Sequence, residues 1–243
     1  MFCHRRFDNT INFMGKEETQ GMFRRDRDNY VGNMTKYDLV ARRVATASEY
    51  IQKSVDAVGV FTSYERQTIK RCVLNANTFF NELEIDVPGF EPGNVAAIPW
   101  NFAKTKGNAY EMGFPHTRAD IIFVSSSIFN NDDRNITSTI IHEKVHVYQR
   151  MYPHMMELYA KHIQCTSKKP VGTYPLARAN PDLDRFIYNC SSRDWVFQYK
   201  TTNPTSITDV DQHEHTMEHP NEHMAYYIAS LYMLSHDGVD PRQ

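Results

Sequence analysis

The sequence lacks the features of secreted and membrane proteins. Its longest apolar runs, such as residues 121–124, are far shorter than the roughly 20 residues that cross a bilayer as a helix. Residues 1–20 are polar and mixed in charge, and they contain no apolar stretch typical of a signal peptide. These absences predict a cytoplasmic protein that has no membrane partner.

The chain also lacks an excess of charge of either sign. It has 27 Lys and Arg residues against 29 Asp and Glu residues, for a net charge of -2. We therefore expect no electrostatic attraction to nucleic acid or to anionic lipid. The hydrophobic content of 41% and the aromatic content of 12% are sufficient for a packed core in a chain of 243 residues.

Paired cysteines are missing as well. The four cysteines, Cys3, Cys72, Cys165 and Cys190, are widely separated, and no CxxC pair occurs. This spacing argues against a zinc site made of cysteines. Together with the missing signal peptide, it predicts four free thiols in a reducing compartment.

Three parts can be distinguished along the chain. Residues 1–33 carry charge clusters and little apolar periodicity, which predicts a poorly ordered N-terminal arm. Residues 34–86 contain two helical patterns, over 36–55 and 63–83, and these predict a helical hairpin.

The breaker "VPGFEPGN", residues 87–94, separates this hairpin from a third part, 95–243. Here we expect a short strand in "VAAIPW" and a longer strand within 119–129. A helix capped by Asn135 or Thr137 follows and is interrupted by Pro153. A final helix begins at Pro220, a favoured first position, and runs to about residue 234.

The run "HEKVH", residues 142–146, is the most informative motif. Positions four apart lie on one face of a helix, so His142 and His146 can present two imidazole nitrogens to one zinc ion. Glu143 lies beside that face and can reach a water on the metal without being a ligand. Zinc lowers the pKa of such a water to about 7, and the carboxylate accepts its proton during attack on a carbonyl.

A catalytic zinc needs a third protein ligand and an open fourth position. The pattern HExxHxxGxxH is excluded, because Gln149 and Tyr152 occupy the positions of its glycine and third histidine. The segment "EHPNEHMAYYIA", 218–229, offers Glu222 in the first turn of the helix that starts at Pro220, which favours this residue. The other candidates are Glu218, His213, His215, His219 and His223.

These segments carry a resemblance to a known family. The run "YEMGFPHTRADIIFVSS", the HEKVH helix and the EHPNE segment resemble gluzincin-type zincin metallopeptidases, and more closely the zinc metallopeptidases encoded by large DNA viruses. The resemblance covers roughly residues 96–234. It implies a peptidase that acts on a peptide or protein substrate, in the host cytoplasm or the virion.

The resemblance also implies a fold and a site. The fold is α+β and mainly helical, with a zincin-like catalytic domain over 95–243 and a small sheet. The edge strand of that sheet, 120–126, precedes the HExxH helix and binds the peptide. One Zn2+ is held by His142, His146 and Glu222, and Glu143 is the general base.

The supporting residues are less well defined. Tyr226, one turn after Glu222, is the first candidate for a donor to the developing oxyanion, with a packed aromatic as the alternative. Some gluzincins have an Asp at the position of Tyr226, and this Asp supports a zinc histidine. In this sequence the residue that supports the zinc histidines is left open, and the candidates are Asp182 and Asp184. Two further residues, His116 and Glu111, are candidates for substrate contact.

Two other functions are alternatives. The first is a non-catalytic structural or interaction protein with a zinc fold, and intact Glu143 argues against it, because a structural site needs no base. The second is a metal-dependent hydrolase of a non-peptide amide. Seventy-five residues separate His146 from Glu222, more than in compact gluzincins. Peptidase activity is thus an expectation from resemblance.

Overall fold

The computed structural model of the protein describes residues 10–211 and 217–236. Within these residues, helices and three small sheets form an α+β fold, as expected. The helices are α1 (Lys16–Arg25), α2 (Lys36–Ala41), α3 (Ala47–Asp56), α4 (Ser63–Glu82), α5 (Pro92–Ala97), α6 (Asp133–Met151), α7 (Pro153–His162) and α8 (Pro220–His236). The strands are β1 (Ile11–Phe13), β2 (Trp100–Thr105), β3 (His116–Arg118), β4 (Ile121–Ser125), β5 (Cys165–Pro170), β6 (Phe186–Cys190), β7 (Arg193–Trp195), β8 (Gln198–Tyr199) and β9 (Val210–Asp211).

The largest sheet has the strand order β1-β2-β4-β3. The first three strands in this order are parallel, and β3 is antiparallel to β4, with Thr117 opposite Ile122. The expectation that 120–126 forms the sheet edge is therefore wrong, since β4 is paired on both sides and β3 is the edge strand. The consecutive buried residues Ile122, Phe123 and Val124 are typical of an internal strand that is covered on both faces.

Helix α6, which carries HEKVH, lies at the centre of the core. Its side chains Ile140, Ile141 and Val145 are fully buried, and the helix packs against α4, α8 and strands β3 and β4. The N-cap is Asp132, whose carboxylate accepts a hydrogen bond from the Asn135 backbone N–H, so neither expected cap is used. Burial of most of its second half gives the histidines of α6 a rigid support.

Helix α8 begins at Pro220, as predicted, and packs directly on α6. Ala225 and Ala229 on α8 are buried, and their small side chains permit a close approach of the two helices. The interruption at Pro153 is also confirmed, because this proline is the first residue of α7. The approach of α8 to α6 places Glu222 near the two histidines.

Residues 10–33 differ from the expected poorly ordered arm. They form β1, α1 and a 3-10 turn, and Phe23 is buried against Tyr110 and Phe123. Two acidic residues that follow α1, Asp26 and Asp28, hold the buried guanidinium of Arg118 at 2.6 Å. The charge cluster that suggested disorder thus provides the counter-charges of a buried arginine. Residues 1–9 lie outside the described residues.

The predicted helical hairpin also differs from the structure. The helix expected over 36–55 is two helices, α2 and α3, because Thr46 takes an extended conformation and caps α3. Helix α4 agrees with the prediction over 63–82, and its N-cap is Thr62. Its buried side chains Ile69 and Val73 belong to the same core cluster as Ile140 of α6, so segment 87–94 connects parts of one core.

The strand expected in "VAAIPW" is wrong for most of that segment. Val95 to Ala97 complete the short helix α5, with Pro92 at its first position, and strand β2 begins only at Trp100. Strand β2 occupies the centre of the sheet, between β1 and β4. No helix of the described residues is long and apolar enough to span a bilayer.

The second sheet contains a disulfide that the sequence did not predict. Strands β5, β6 and β7 are antiparallel, and Cys165 lies opposite Cys190 and is bonded to it. The prediction of free thiols is therefore wrong for this pair, since strand pairing brings together cysteines that are 25 residues apart. Cys72 is a free, buried thiol, and Cys3 lies outside the described residues.

Candidate metal centre

Three predicted ligand side chains converge at one point between α6 and α8. The Nε2 atoms of His142 and His146 are 3.1 Å apart. The Glu222 carboxylate lies 3.3 Å from the first nitrogen and 3.6 Å from the second. The one-turn spacing on α6 and the rigid first turn of α8 thus bring two nitrogens and a carboxylate together, as expected.

The spacing of these three donors fits a zinc ion. Nitrogen ligands about 2.05 Å from a tetrahedral zinc are about 3.3 Å from each other. The two imidazole nitrogens are 3.1 Å apart. The His142 nitrogen lies 3.3 Å from Oε2 of Glu222, and the His146 nitrogen lies 3.6 Å from Oε1, so all three separations lie around this value. Two imidazoles and one carboxylate are also a ligand set of catalytic zinc sites, which leave one position open. The residues present therefore fit the ion that the sequence predicts.

Two of the three candidate ligands, His146 and Glu222, are held by neutral side chains. Gln149, one turn after His146 on α6, lies with its Oε1 atom 2.8 Å from the His146 Nδ1 atom. Its Nε2 atom donates to the Asn221 carbonyl at the start of α8, which fixes the orientation of the amide. His146 must then donate from Nδ1, so the Nε2 lone pair faces the metal position.

Asn180 provides similar support for the third ligand. Its side-chain amide donates a hydrogen bond of 2.8 Å to Oε1 of Glu222. The rival Glu218 forms a salt bridge with Arg178, at 2.6 and 2.9 Å, and is absent from the three-donor group. The choice of Glu222 over Glu218 agrees with the geometry.

The remaining rivals have other partners. His219 faces the Asp184 carboxylate at 3.1 Å, and its Nδ1 atom accepts from the Asn221 backbone N–H. His223 bonds through Nδ1 to the Tyr159 hydroxyl at 2.7 Å. His213 and His215 lie outside the described residues.

The expected support of the zinc histidines by Asp182 or Asp184 is not observed. Asp184 is bonded to His219 and to the Tyr188 hydroxyl, and the Asp182 side chain forms no hydrogen bond to His142 or His146. Gln149 takes this role for His146, because it lies three residues further along the same helix face.

Glu143 lies beside the donors and is 5% exposed. The Thr117 hydroxyl, on edge strand β3, lies 2.8 Å from Oε2 of Glu143 and 3.0 Å from its backbone carbonyl oxygen. Burial raises the pKa of Glu143 above its usual value, and the two neighbouring histidines oppose this shift. A raised pKa makes the carboxylate a stronger proton acceptor.

The charges of the candidate ligands shift the pKa values of Glu222 and His146. Burial alone would raise the pKa of Glu222, but the adjacent His146 and His142 lower it well below the usual range. Burial alone would lower the pKa of His146, but the Glu222 carboxylate raises it to about 9. Without an ion, these groups therefore share protons, and a bound cation would displace them.

A cavity of about 570 Å3 opens onto these residues. Tyr226 lines it, is 59% exposed, and packs its ring edge-on against His142 with a centroid distance of 4.5 Å. Glu111 and His116 also line the cavity. Arg42 and Tyr50 hold the Glu111 carboxylate, and the Tyr110 hydroxyl lies 3.1 Å from His116. Glu111 and His116 are therefore part of an internal hydrogen-bond network in the cavity wall.

Comparison with known proteins gives no assignment. No protein-family model matches the sequence, and no curated protein or solved structure is significantly similar to it. The chemistry of the site must therefore be derived from the residues themselves.

Proposed function

We propose that the protein is a zinc-dependent metallopeptidase of the gluzincin type. One observation supports this most strongly. His142, His146 and Glu222 converge at zinc-ligand spacing, and the buried carboxylate of Glu143 adjoins them on the wall of an open cavity. When bound, zinc would act as a Lewis acid that lowers the pKa of a coordinated water to about 7.

In this proposal Glu143 moves the protons. Thr117 holds one carboxylate oxygen, Oε2, and leaves the other for the attacking water. Glu143 accepts a proton as the water oxygen forms a bond to the substrate carbonyl carbon. It then donates that proton to the amide nitrogen as the C–N bond breaks, and a carboxylic acid and an amine leave.

Tyr226 is the proposed donor to the oxyanion. Its phenol is protonated at neutral pH, and its ring lies on His142 at the cavity wall. A donor there would stabilise the negative charge that develops on the carbonyl oxygen. Tyr226→Phe keeps the ring contact and removes the hydroxyl, so kcat should fall by about 10- to 1,000-fold with unchanged zinc content.

The open cavity favours an enzyme over a structural protein. Structural zinc sites are closed by four protein ligands, whereas the group found within the described residues has three. A buried carboxylate with a raised pKa next to the ligands has no use in a structural site. The cavity volume lies within the range of about 300–1,000 Å3 that is usual for ligand sites, so it has room for a short peptide segment.

The test is hydrolysis of a mixed peptide library by wild-type protein and by Glu143→Gln. We expect cleavage by wild type, and loss of about 100-fold or more in the variant with zinc and fold retained, because proton transfer is lost. Equal cleavage by both proteins would exclude Glu143 as the base. Cleavage of simple amides but of no peptide would favour the alternative of a non-peptide amide hydrolase.

A further inference from the structure

Asp182 is a buried carboxylate whose charge is not used by the proposed mechanism. It is 6% exposed and lies on the loop between β5 and β6. Among residues 10–211 and 217–236, no side chain or backbone group forms a hydrogen bond or an ion pair with its carboxylate. Burial of an unpaired carboxylate is costly, so such a group normally has a ligand or a partner.

The position of Asp182 is fixed by its neighbours. Arg150 donates to the backbone carbonyl of Asp182, and Asn33 donates to the carbonyl of Pro181 at 3.3 Å. The side-chain amide of Asn180, two residues before Asp182, donates to the zinc-ligand candidate Glu222. The loop is therefore held in place at Asp182 and at the two residues before it.

The side chain lies at the junction of two cavities. Asp182 and His146 line both the 570 Å3 cavity and a second cavity of about 600 Å3. A substrate that extends from one cavity to the other would pass this carboxylate.

Within the first cavity, the charge balance leaves Asp182 without a counter-ion. The first cavity is lined by two arginines and five carboxylates. The pairs Arg42–Glu111 and Arg178–Glu218 neutralise each other. A bound Zn2+ would offset two of the three remaining charges, on Glu143, Glu222 and Asp182. Arg150 lines the second cavity, but it forms no ion pair with Asp182.

We propose that Asp182 binds a cationic group of the substrate, next to the bond that is cleaved. The ligand is an ammonium or guanidinium group, from either a free peptide N-terminus or a Lys or Arg side chain. This inference rests on the proposed peptidase function for the identity of the substrate, but the recognition of a cation can be measured without hydrolysis.

The test uses the zinc-loaded Glu143→Gln protein and dye-labelled, alanine-rich octapeptides. In one arm a single Lys is moved through the eight positions, and each peptide is compared with its norleucine counterpart. In the other arm, the all-alanine peptide with a free N-terminus is compared with its acetylated form. Binding is measured by fluorescence anisotropy.

We expect a cationic peptide of one arm to bind about tenfold more tightly than its neutral counterpart, since a hydrogen bond between charged groups contributes about 1.5 kcal/mol. Adding Asp182→Asn should remove that preference and leave the affinity for the neutral peptide within about twofold. The matched control is Asp184→Asn, a carboxylate on the same loop that already has His219 and Tyr188 as partners. The Asp184→Asn protein should keep the preference for the cationic peptide.

Two results would overturn the inference. One is a preference below twofold in both arms, and the other is a preference that persists in a folded, zinc-loaded Asp182→Asn protein. Hydrolysis by the enzyme with intact Glu143 is assayed separately on the same peptides. Cleavage without a charge preference would reject only the role of Asp182, whereas binding preference without cleavage would reject only the peptidase function.

Discussion

At the scale of single residues, we expect the neutral amide of Gln149 to determine how well His146 binds a metal. It accepts from Nδ1 of His146 and is itself held by the Asn221 carbonyl. Gln149→Met removes both bonds at similar volume, and zinc affinity should fall about 10- to 100-fold. Chelator competition measures the affinity. Imidazole 15N shifts of the metal-free protein, recorded well above pH 9 where His146 is neutral, should show a changed tautomer.

Gln67→Met, an exposed change on α4, is the matched control and should change neither quantity. A Gln149→Met protein that binds zinc as tightly as wild type would show that the amide does not orient the ligand.

Lys144, inside the HEKVH motif, has a different role from its neighbours. It is fully buried on the opposite side of α6, where its ammonium donates to the carbonyls of Ile98 and Pro99 and lies over the Trp100 ring. Burial lowers the pKa of Lys144 from 10.5 to about 7. The folded protein therefore binds fewer protons than the unfolded chain between these pH values, and the free energy of unfolding contributed by Lys144 rises with pH.

We predict that wild type gains stability relative to Lys144→Met, by a few kcal/mol, between pH 7 and about 10. Denaturant unfolding of both proteins at several pH values measures the difference, in which the other titrating groups cancel. A difference independent of pH would show that Lys144 is not forced to release its proton on folding.

The sequence predicted the candidate ligands of this site better than the residues that support them. His142 and His146 follow from helix geometry, and Pro220 fixes Glu222 in a first turn. Gln149 could have been found in the same way, since it lies three residues after His146. Thr117, Asn180 and the cavity position of Asp182 could not, because each depends on how distant loops and strands are placed by the fold.

At the scale of elements, the disulfide closes the segment that supports the site. Cys165 and Cys190 are 25 residues apart, and Arg178, Asn180 and Asp182 lie between them. By the chain-entropy model, a closed segment of this length stabilises a protein by about 3 kcal/mol. Reduction of the bond should therefore both lower stability and loosen the loop that holds Glu222.

We predict that Cys165→Ser with Cys190→Ser lowers the free energy of unfolding by about 3 kcal/mol and weakens zinc binding. Urea unfolding with and without reductant measures this change. Reductant should bring wild type to the level of the double variant and leave the double variant unchanged. Equal stability of oxidised wild type and the double variant would contradict the prediction.

Elements with strong local signals were predicted well, and those that depend on tertiary contacts were not. Helix α4 begins at the predicted Ser63, and helix α8 begins at the predicted Pro220. By contrast, the strand expected from Val95 onwards is a helix, because Pro92 starts it and the two alanines that follow Val95 favour it. Similarly, the apolar pattern continues from α2 into α3, but the chain is interrupted at Thr46. The hydroxyl of Thr46 caps α3, and this cap is favoured once α3 packs.

At the scale of the whole molecule, the N-terminal residues are part of the core. Arg118, on edge strand β3, is 1% exposed in its side chain and has Asp26 and Asp28 as its counter-charges. Removal of both carboxylates would leave a buried cation unpaired. We predict that Asp26→Asn with Asp28→Asn lowers stability by about 3–5 kcal/mol.

Thermal or urea unfolding of the double variant tests this, with Asp133→Asn as the control. Asp133 pairs with Arg71 on the surface, where both side chains are about half exposed, and its loss should cost less than about 1 kcal/mol. Similar small effects of both changes would show that the N-terminal segment is not needed by the core.

The metal content of the purified protein tests the central claim most directly. Elemental analysis should find about one zinc per chain in wild type, and little in His142→Ala, His146→Ala and Glu222→Ala, because each removes one of three converging donors. Glu218→Ala should keep its zinc, although the loss of the Arg178 partner lowers its stability. Full zinc content in folded Glu222→Ala, or loss of zinc in folded Glu218→Ala, would contradict the proposed metal centre.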